Sequence, residues 1–164
     1  MENLYSGHCH TPIGVFFIQC TTQAIVRAGF MDISNSEVAD SASPLLQHAI
    51  DQILEYFAGC RHAFDLPVAP AGSLFYQSVW AKLVHIPYGC TISYGELAAN
   101  LGNPKASRAV GNANHHNPIA LIIPCHRVIG ADGTLTGYAS GLERKRWLLN
   151  WEKIHATSKS SSLF

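Results

Sequence analysis

The chain has 164 residues, of which 48% are hydrophobic and 13% charged, and its formal net charge is zero. This composition is typical of a compact folded protein and argues against intrinsic disorder. Its best apolar run, Ile13 to Ile18, is too short to cross a bilayer. The N-terminus has no basic segment followed by an apolar one, so we expect no secretion and no membrane association.

Five cysteines without an export signal predict reduced thiols in a cytoplasmic protein, or a nuclear one in a eukaryote. His8, Cys9, His10 and Cys20 are candidate metal ligands, but their spacing does not match a zinc site. We therefore predict no metal and no cofactor.

The zero net charge hides an asymmetry between the two halves. Residues 1–70 carry two basic and seven acidic side chains, a formal charge of −5, whereas residues 71–157 carry eight basic and four acidic ones, a charge of +4. A polyanion would be attracted to the second half and repelled by the first, although chance alone also produces differences of this size.

The first seventy residues are predicted to form a small α/β domain. Ile13 to Cys20 and Gln23 to Met31 look like neighbouring strands, and a helix begins at Ser43-Pro44 and ends at Gly59. A proline-containing linker, 65–72, follows.

Short helices with sharp ends dominate the second half, which we assign to residues 71–157, with a flexible tail at 158–164. A helix is predicted from Ser73 to His85, and a capping box at Ser93 to Glu96 opens another that ends at Gly102. A further helix begins at Asn103-Pro104. This is a helix-turn-helix arrangement, which many proteins that do not bind DNA also contain.

The helix after Pro104 has two distinct sides. Its apolar stripe consists of Ala106, Ala109, Val110 and Ala113. Small or polar residues share the opposite side, which would admit a nucleic-acid groove or simply face solvent: Ser107, Arg108, Gly111, Asn112 and His115.

The apolar segment Ile119 to Ile123 is predicted to be a buried strand or extended segment that leads to Cys125. Val128 to Tyr138 is predicted to be a hairpin or loop that turns at Asp132-Gly133. Ser140 to Glu143 reads as a second capping box. It opens a last helix whose apolar side consists of Trp147, Leu148, Trp151, Ile154 and His155.

Cys125 is the candidate nucleophile, because it lies between a proline and a histidine and nearby cationic or basic groups lower a thiol pKa. A cysteine hydrolase is the rival interpretation of Cys125 and His126. Adjacent residues of an extended segment point to opposite sides, so direct contact between these two side chains does not follow.

The segment Ile123-Pro124-Cys125-His126-Arg127-Val128 resembles the active-site signature of the O6-alkylguanine-DNA alkyltransferases, also called methylated-DNA–protein-cysteine methyltransferases. The similarity extends, in order and spacing, over about residues 75–153. It includes the segments Ile92 to Ala98, Gly102 to Gly111, Asn117-Pro118, Gly137-Tyr138, and Trp147 to Leu149 followed by Glu152.

This resemblance implies the fold and the chemistry. The expected fold is a ribonuclease H-like α/β domain followed by a mostly helical, winged-helix-like DNA-binding domain. Cys125 would take the alkyl group from O6-alkylguanine in double-stranded DNA and keep it, so each monomer would act once. His126, through a water, and Glu152 would remove the thiol proton, Asn117 would order the turn, and Tyr94 would donate a proton toward the guanine.

The resemblance also implies how the lesion is reached. Arg108 would fill the gap left by a flipped nucleotide, and the helix that carries it would lie in the minor groove. The residues implied to contact DNA beside Arg108 and Tyr94 are Ala106, Ser107, Gly111 and Asn112. The base pocket would be lined by Pro124, Val128, Tyr138, Ala139 and Ser140.

Two pocket positions depart from the family pattern. Ala139 stands where several relatives have serine, and Ser140 where glycine is frequent. The metal ligands of some family members are not matched in this chain.

Two further alternatives come from within the family. In non-enzymatic alkyltransferase-like sensors the signature cysteine is replaced, usually by tryptophan, and Cys125 argues against that class. A transcriptional regulator would need an additional DNA-binding or sensor domain, which this sequence does not contain.

Overall fold

A computed structural model describes residues 2–31 and 41–161, with only the backbone for residues 157–161. The chain forms two compact units. Unit 1 comprises Met1–Ala71 together with Pro118–Ile122, and unit 2 comprises Gly72–Asn117 together with Ile123–Phe164.

Unit 1 is built on a three-stranded antiparallel sheet with the order β1-β2-β3. The strands are β1 (Tyr5–Thr11), β2 (Gly14–Cys20) and β3 (Ile25–Met31). The predicted pair β2-β3 is confirmed, whereas β1 was not predicted. Its sequence, YSGHCHT, is polar and has few of the β-branched and aromatic residues that mark a strand.

Helix α1 (Pro44–Phe57) covers one face of this sheet through β1 and β2. As predicted, the Ser43 side chain caps it, accepting a hydrogen bond from the Leu46 N–H at 3.4 Å. Phe16, Ile18 and Ile53 are fully buried between the helix and the sheet. Unit 1 therefore has a conventional apolar core.

Two segments add to the edge of this sheet at β3. Val68, from the predicted linker, forms a parallel bridge with Ile25, and Ile119 forms one with Ala28. The prediction of a strand from Ile119 to Ile123 is wrong beyond this single bridge. The chain turns at Leu121, whose φ of 71° lies in the left-handed region, so the segment is buried but cannot continue as a strand.

Unit 2 is mostly helical, in agreement with the predicted fold class. Its helices are α2 (Leu74–Leu83), α3 (Tyr94–Asn100), α4 (Ser107–His115) and α5 (Leu142–Ser161). Two short strands, β4 (Ile92–Ser93) and β5 (Val128–Ile129), pair in parallel, and a 3₁₀ helix (Cys125–Arg127) precedes β5.

The helix-turn-helix consists of α3 and α4. The predicted capping box is present, because the Glu96 N–H donates to the Ser93 hydroxyl at 3.0 Å and the Ser93 N–H donates to the Glu96 carboxylate at 2.9 Å. Helix α4 begins at Ser107 and not at Pro104, since residues 103–106 form a turn closed by the Ala106 N–H on the Asn103 carbonyl. The indole N–H of Trp80 in α2 donates to the Ala113 carbonyl at 2.8 Å and anchors α4.

The predicted turn at Asp132-Gly133 is present, but no strand returns from it within the described chain. Helix α5 begins at Leu142, directly after Gly141, whose carbonyl accepts the first helical bond from Lys145. Ser140 lies one residue too early to be the cap, so the predicted second capping box is wrong.

The apolar side predicted for α5 is also only partly correct. Leu148 is buried, but Ile154 is 61% exposed, and the other fully buried side chains over residues 142–156 of this helix are those of Lys145 and Glu152. The helix continues to Ser161, into the segment predicted as a tail, and residues 162–164 lie outside the described chain.

Candidate active site

Cys125 is the first residue of the 3₁₀ helix and its side chain is buried, with 5% exposed. The backbone around it is held from two sides. The Cys125 carbonyl accepts a hydrogen bond from the Asn114 amide at 3.2 Å, and the Ile123 carbonyl accepts one from the Asn117 amide at 2.8 Å. Both amides are therefore used to fix the turn that presents the thiol.

The electrostatics of the thiol differ from the sequence-based expectation. Burial raises the pKa of the Cys125 thiol, and this effect outweighs a hydrogen bond with the Asn117 side chain and the charge of Lys145, which both lower it. In the protein without a substrate the proton therefore stays on the sulfur. A nearby base has to remove this proton before the sulfur becomes a strong nucleophile.

A buried ion cluster adjoins the cysteine and is centred on the Glu152 carboxylate. One carboxylate oxygen lies 2.7 Å from Nε2 of His126, and the guanidinium of Arg127 donates to both oxygens, at 2.8 and 3.0 Å. The Gly89 N–H also approaches this carboxylate, at 3.3 Å. The structure thus brings together His126 and Glu152, as predicted from the resemblance.

The protonation of this cluster follows from its partners. Burial alone would raise the pKa of the Glu152 carboxyl, but His126 and Arg127 hold it well below its usual range. Burial lowers the pKa of His126, so its ring is neutral near pH 7. Within the described chain, Nδ1 of His126 has no hydrogen-bonding protein partner and is buried.

Lys145 lies on the same side of α5 as Glu152 and was not singled out by the sequence. Its side chain is 0% exposed, and its ammonium donates to the carbonyls of Val128, at 2.6 Å, and Thr136, at 2.9 Å. Burial lowers its pKa to about 8. Lys145 therefore ties both ends of the 128–136 loop to α5.

Tyr94, at the start of α3, is half-buried, and its hydroxyl donates to the Thr136 carbonyl at 3.0 Å. Its ring lies beside α4, where a methyl group added at Gly111 would be 3.6 Å from the ring. The ammonium of Lys145 lies 5.9 Å from the ring centre. Gly111 thus allows Tyr94 and α4 to approach each other closely.

The predicted pocket residues do not share one environment. Pro124, Val128 and Tyr138 are buried, Ser140 is half-buried and Ala139 is exposed. Burial raises the pKa of Tyr138 well above its ordinary value, so this phenol remains protonated.

The outward face of α4 contains the predicted DNA-contact residues. Arg108, Asn112 and His115 are exposed, and Ala106 and Ser107 are half-buried. Ala109, assigned by the sequence to the apolar stripe, is exposed, and Asn114 is buried in its place.

Asn112 is already engaged at one end, since its amide donates to the Tyr76 hydroxyl of α2 at 2.9 Å. The C-terminal end of α4 is therefore braced against α2.

The remaining cysteines have different surroundings. Cys9 and Cys20 are buried in unit 1, where burial raises their pKa, in the case of Cys9 to about 11, and Cys60 and Cys90 are exposed. Among the residues that the structure describes, no three histidine, cysteine or acidic side chains come together as a possible metal site.

Two family models match the chain in succession. Residues 4–70 match the ribonuclease-like domain of 6-O-methylguanine DNA methyltransferase, and residues 74–154 match its DNA-binding domain. The methylated-DNA–protein-cysteine methyltransferase of Methanosarcina acetivorans is 48% identical over 91% of this chain and 98% of its own length. This chain belongs to the methylated-DNA–protein-cysteine methyltransferase family.

Solved structures of the family share the fold over almost the whole length. The O6-methylguanine methyltransferase of Mycobacterium tuberculosis is 41% identical, with a TM-score of 0.82 over 93% of this chain and 94% of its own. A structure of the M. tuberculosis protein in complex with DNA has 43% identity and a TM-score of 0.83, covering 92% of this chain and 93% of that one.

Sequence reasoning missed two polar residues near the site, Lys145 and Asn114, whose side chains are buried on helices. Lys145, Leu148 and Glu152 follow one another at spacings of three and four residues, which places them on one side of α5. Asn114 follows Val110 by four residues and so shares the buried side of α4. The helical period alone would place Lys145 and Asn114 on the buried sides of their helices. Lysine and asparagine are usually exposed, however, so the sequence does not suggest that their side chains point inward.

None of the helices in residues 2–31 and 41–161 is both long enough and apolar enough to cross a membrane.

Proposed function

We propose that the protein repairs DNA by transferring the methyl group of O6-methylguanine, or a related alkyl group, to Cys125. The observation that carries this proposal is the buried Cys125 thiol adjoining a His126–Glu152 pair, with 2.7 Å between Nε2 and the carboxylate, within the signature of the family.

The reaction is a displacement at a saturated carbon. The thiol proton passes to His126, by way of a water that bonds its inward-facing Nδ1, and Glu152 stabilises the imidazolium that results. The sulfur then forms a bond to the alkyl carbon as the bond from that carbon to O6 breaks. The electron pair of the broken bond remains with the guanine, which takes up a proton and is restored as a neutral base within the DNA strand.

Tyr94 is the group that we assign to this protonation. Its hydroxyl faces the Thr136 carbonyl in the free protein. The incoming base would take the place of this acceptor, so that the tyrosine hydrogen bonds to the guanine ring. Lys145 keeps the Thr136 carbonyl in position while this exchange occurs.

The alkylated base has to leave the duplex to reach a buried thiol. Arg108 is exposed on α4 among small residues, where a helix can approach the minor groove closely and insert one long side chain into the base stack. Ala106, Ser107, Gly111 and Asn112 would form the rest of the contact with DNA. Pro124, Val128, Tyr138, Ala139 and Ser140 would surround the flipped base.

The product is a thioether, which water and ordinary bases do not cleave, so one protein molecule repairs one lesion. We further propose that the protein acts as a monomer, in the cytoplasm or, in a eukaryote, in the nucleus. A monomer is sufficient because Cys125, His126, Glu152, Tyr94 and Arg108 all belong to one unit of one chain.

The decisive experiment is mass spectrometry after incubation with a duplex that contains one O6-methylguanine. We expect the intact chain to gain one methyl group, peptide mapping to locate it on Cys125, and the yield of guanine to stop at one per protein. Tight binding of the lesion without transfer would contradict the proposal and indicate a sensor. Turnover of an ester or peptide with Cys125 unmodified would contradict it and indicate a hydrolase.

A further inference from the structure

Arg127 is hydrogen-bonded through three of its nitrogens, yet the proposed reaction assigns it no role. Its side chain is buried, with 6% of the residue exposed. Nε and one terminal nitrogen donate to the two oxygens of Glu152, and the other terminal nitrogen donates to the Ile86 carbonyl at 2.7 Å. A planar guanidinium bound in this bidentate way fixes both the position and the plane of the carboxylate.

Three charged side chains act on His126. Glu152 contacts its ring and favours protonation, and Arg127 and Lys145 oppose protonation, whereas the neighbouring Cys125 thiol is neutral in the free protein. Tyr88 and Tyr138 also face Glu152, and burial raises the pKa of both phenols, that of Tyr88 to about 12, so neither contributes a charge.

The pair of Glu152 and Arg127 is therefore electrically neutral without a proton on His126. If Arg127 lost its charge, the buried carboxylate would be uncompensated, and the nearest group able to supply a positive charge is His126. Its pKa would then rise, because an unpaired charge in a buried site is costly.

We propose that Arg127 is a positioning residue that orients Glu152 and, by neutralising its charge, keeps His126 unprotonated and ready to receive the proton of Cys125. This inference rests on the proposed function, because it concerns the same proton transfer. Arg127 itself touches neither the thiol nor the substrate.

A specific change in the pH profile follows. The reactive form of the Cys125–His126 pair holds one proton, and the form with two protons is inactive. Removal of the Arg127 charge makes the doubly protonated form persist to higher pH. The transfer rate of a variant without this charge should therefore be lower than that of the wild type at acidic pH and return to the wild-type rate at alkaline pH.

The test compares Arg127→Met and Arg127→Lys with the wild-type chain, using single-turnover transfer from an O6-methylguanine oligonucleotide between about pH 5 and about pH 9. We expect the acidic limb of the pH–rate profile of Arg127→Met to move to higher pH by about one pH unit or more. This corresponds to roughly a tenfold loss of the transfer rate near pH 6. Arg127→Lys keeps the charge, so its limb should stay close to that of the wild type.

Arg61→Met is the matched control, because Arg61 forms an ion pair of the same type with Glu55, at 2.9 Å, on the surface of unit 1. Its pH profile should equal that of the wild type. An Arg127→Met profile that is lowered equally at every pH, or not changed at all, would overturn the inference and leave Arg127 a purely structural residue.

Glu152→Gln tests the same charge balance by removing the negative charge instead of the positive one. It replaces Arg127→Met as the test variant if Arg127→Met does not fold. Loss of the carboxylate leaves Arg127 uncompensated, so the acidic limb should move to lower pH. An unchanged limb would again overturn the inference.

The titration of the His126 ring, followed by NMR, separates this inference from the proposed function. If the wild-type chain transferred no methyl group, the proposed function would fail. A His126 midpoint that rises in Arg127→Met would still support the assignment of Arg127, and an unmoved midpoint would refute it.

Discussion

The two units of this molecule bury their polar side chains very differently. In the described part of unit 1 the buried polar residues are Thr21 and Gln52, both uncharged, and the core is otherwise apolar. Unit 2 buries His126, Arg127, Lys145 and Glu152 among its helices and short strands.

Burial of charged groups opposes folding unless each is paired and hydrogen-bonded. Unit 2 meets this condition at Glu152, which pairs with Arg127 and is hydrogen-bonded to His126, whereas the ammonium of Lys145 is hydrogen-bonded to two carbonyls. The described core of unit 1 is formed without such groups. Their concentration next to Cys125 is consistent with the proton transfer proposed above.

The largest effect should come from exchanging one buried thiol for a hydroxyl in each unit. Cys125→Ser should abolish methyl transfer, because a serine hydroxyl in this site is a far weaker nucleophile than a thiolate. Cys9→Ser, in unit 1, should leave the yield of methylated protein unchanged. Mass spectrometry of both variants after incubation with methylated duplex measures the difference. Full transfer by Cys125→Ser would refute the assignment of Cys125 as the alkyl acceptor.

A smaller loss is expected at the exposed face of α4. Arg108→Ala should slow repair of duplex DNA by roughly tenfold to a hundredfold, because the gap left by a flipped base is no longer filled and flipping costs a few kcal/mol. Reaction with free O6-methylguanine base should be almost unaffected. The measurement is the transfer rate of Arg108→Ala on both substrates. An equal loss of rate on duplex DNA and on the free base would contradict the proposed role of Arg108 in base flipping.

The buried lysine predicts a contribution to stability that rises with pH, whereas the raised pKa of Cys9 in unit 1 predicts a contribution that falls. The pKa of Lys145 is about 8 in the folded chain and returns to its ordinary value near 10.5 on unfolding. Between these values Lys145 holds more of its proton in the unfolded chain, so its contribution to the free energy of unfolding rises with pH, by up to about 1.4 kcal/mol per pH unit.

Lys145→Met should remove this rise, and the exposed Lys82→Met should retain it. Urea denaturation at several pH values in this window measures both variants. A wild-type chain whose stability runs parallel to that of Lys145→Met would contradict the prediction.

The smallest effects are expected from removal of one helix N-cap in each unit. Ser43→Ala and Ser93→Ala each remove a hydrogen bond to a helix N-terminus and should each lower the free energy of unfolding by about 1 kcal/mol. Only Ser93→Ala should also slow methyl transfer, because Tyr94 follows it directly. Thermal denaturation and transfer rates distinguish the two, and equal transfer rates would show that the start of α3 tolerates this loss.

The sequence predicted the capped helices and the central hairpin well, because their signals are local. Ser43, Ser93 and Gly59 act within a few residues of themselves, and the structure uses each as expected. Strand β1 was not predicted, although its pairing with β2 is also a local hairpin, because its sequence is polar and has few of the residue types that mark a strand. The turn at Leu121 was missed for the opposite reason, since an entirely apolar run is typical of a strand.

The site was predicted unevenly for a similar reason. The family resemblance supplied Cys125, His126 and Glu152, and the structure brings the last two into contact. The direction of the Cys125 pKa was wrong, because the sequence shows neighbouring cationic groups but not the depth of burial. Lys145 lies in a run of charged residues, where only a tertiary structure can show which one points inward.

The assignment of Pro118–Ile122 to unit 1 has a practical consequence for dissection of the chain. A fragment that begins at Gly72 would include this apolar pentapeptide but would lack β3, whose Ala28 is the bridge partner of Ile119. Expressed alone, such a fragment would expose a hydrophobic stretch a few residues before Cys125 and would be prone to aggregate. Split versions of this protein should therefore be supplied with the first 71 residues in trans.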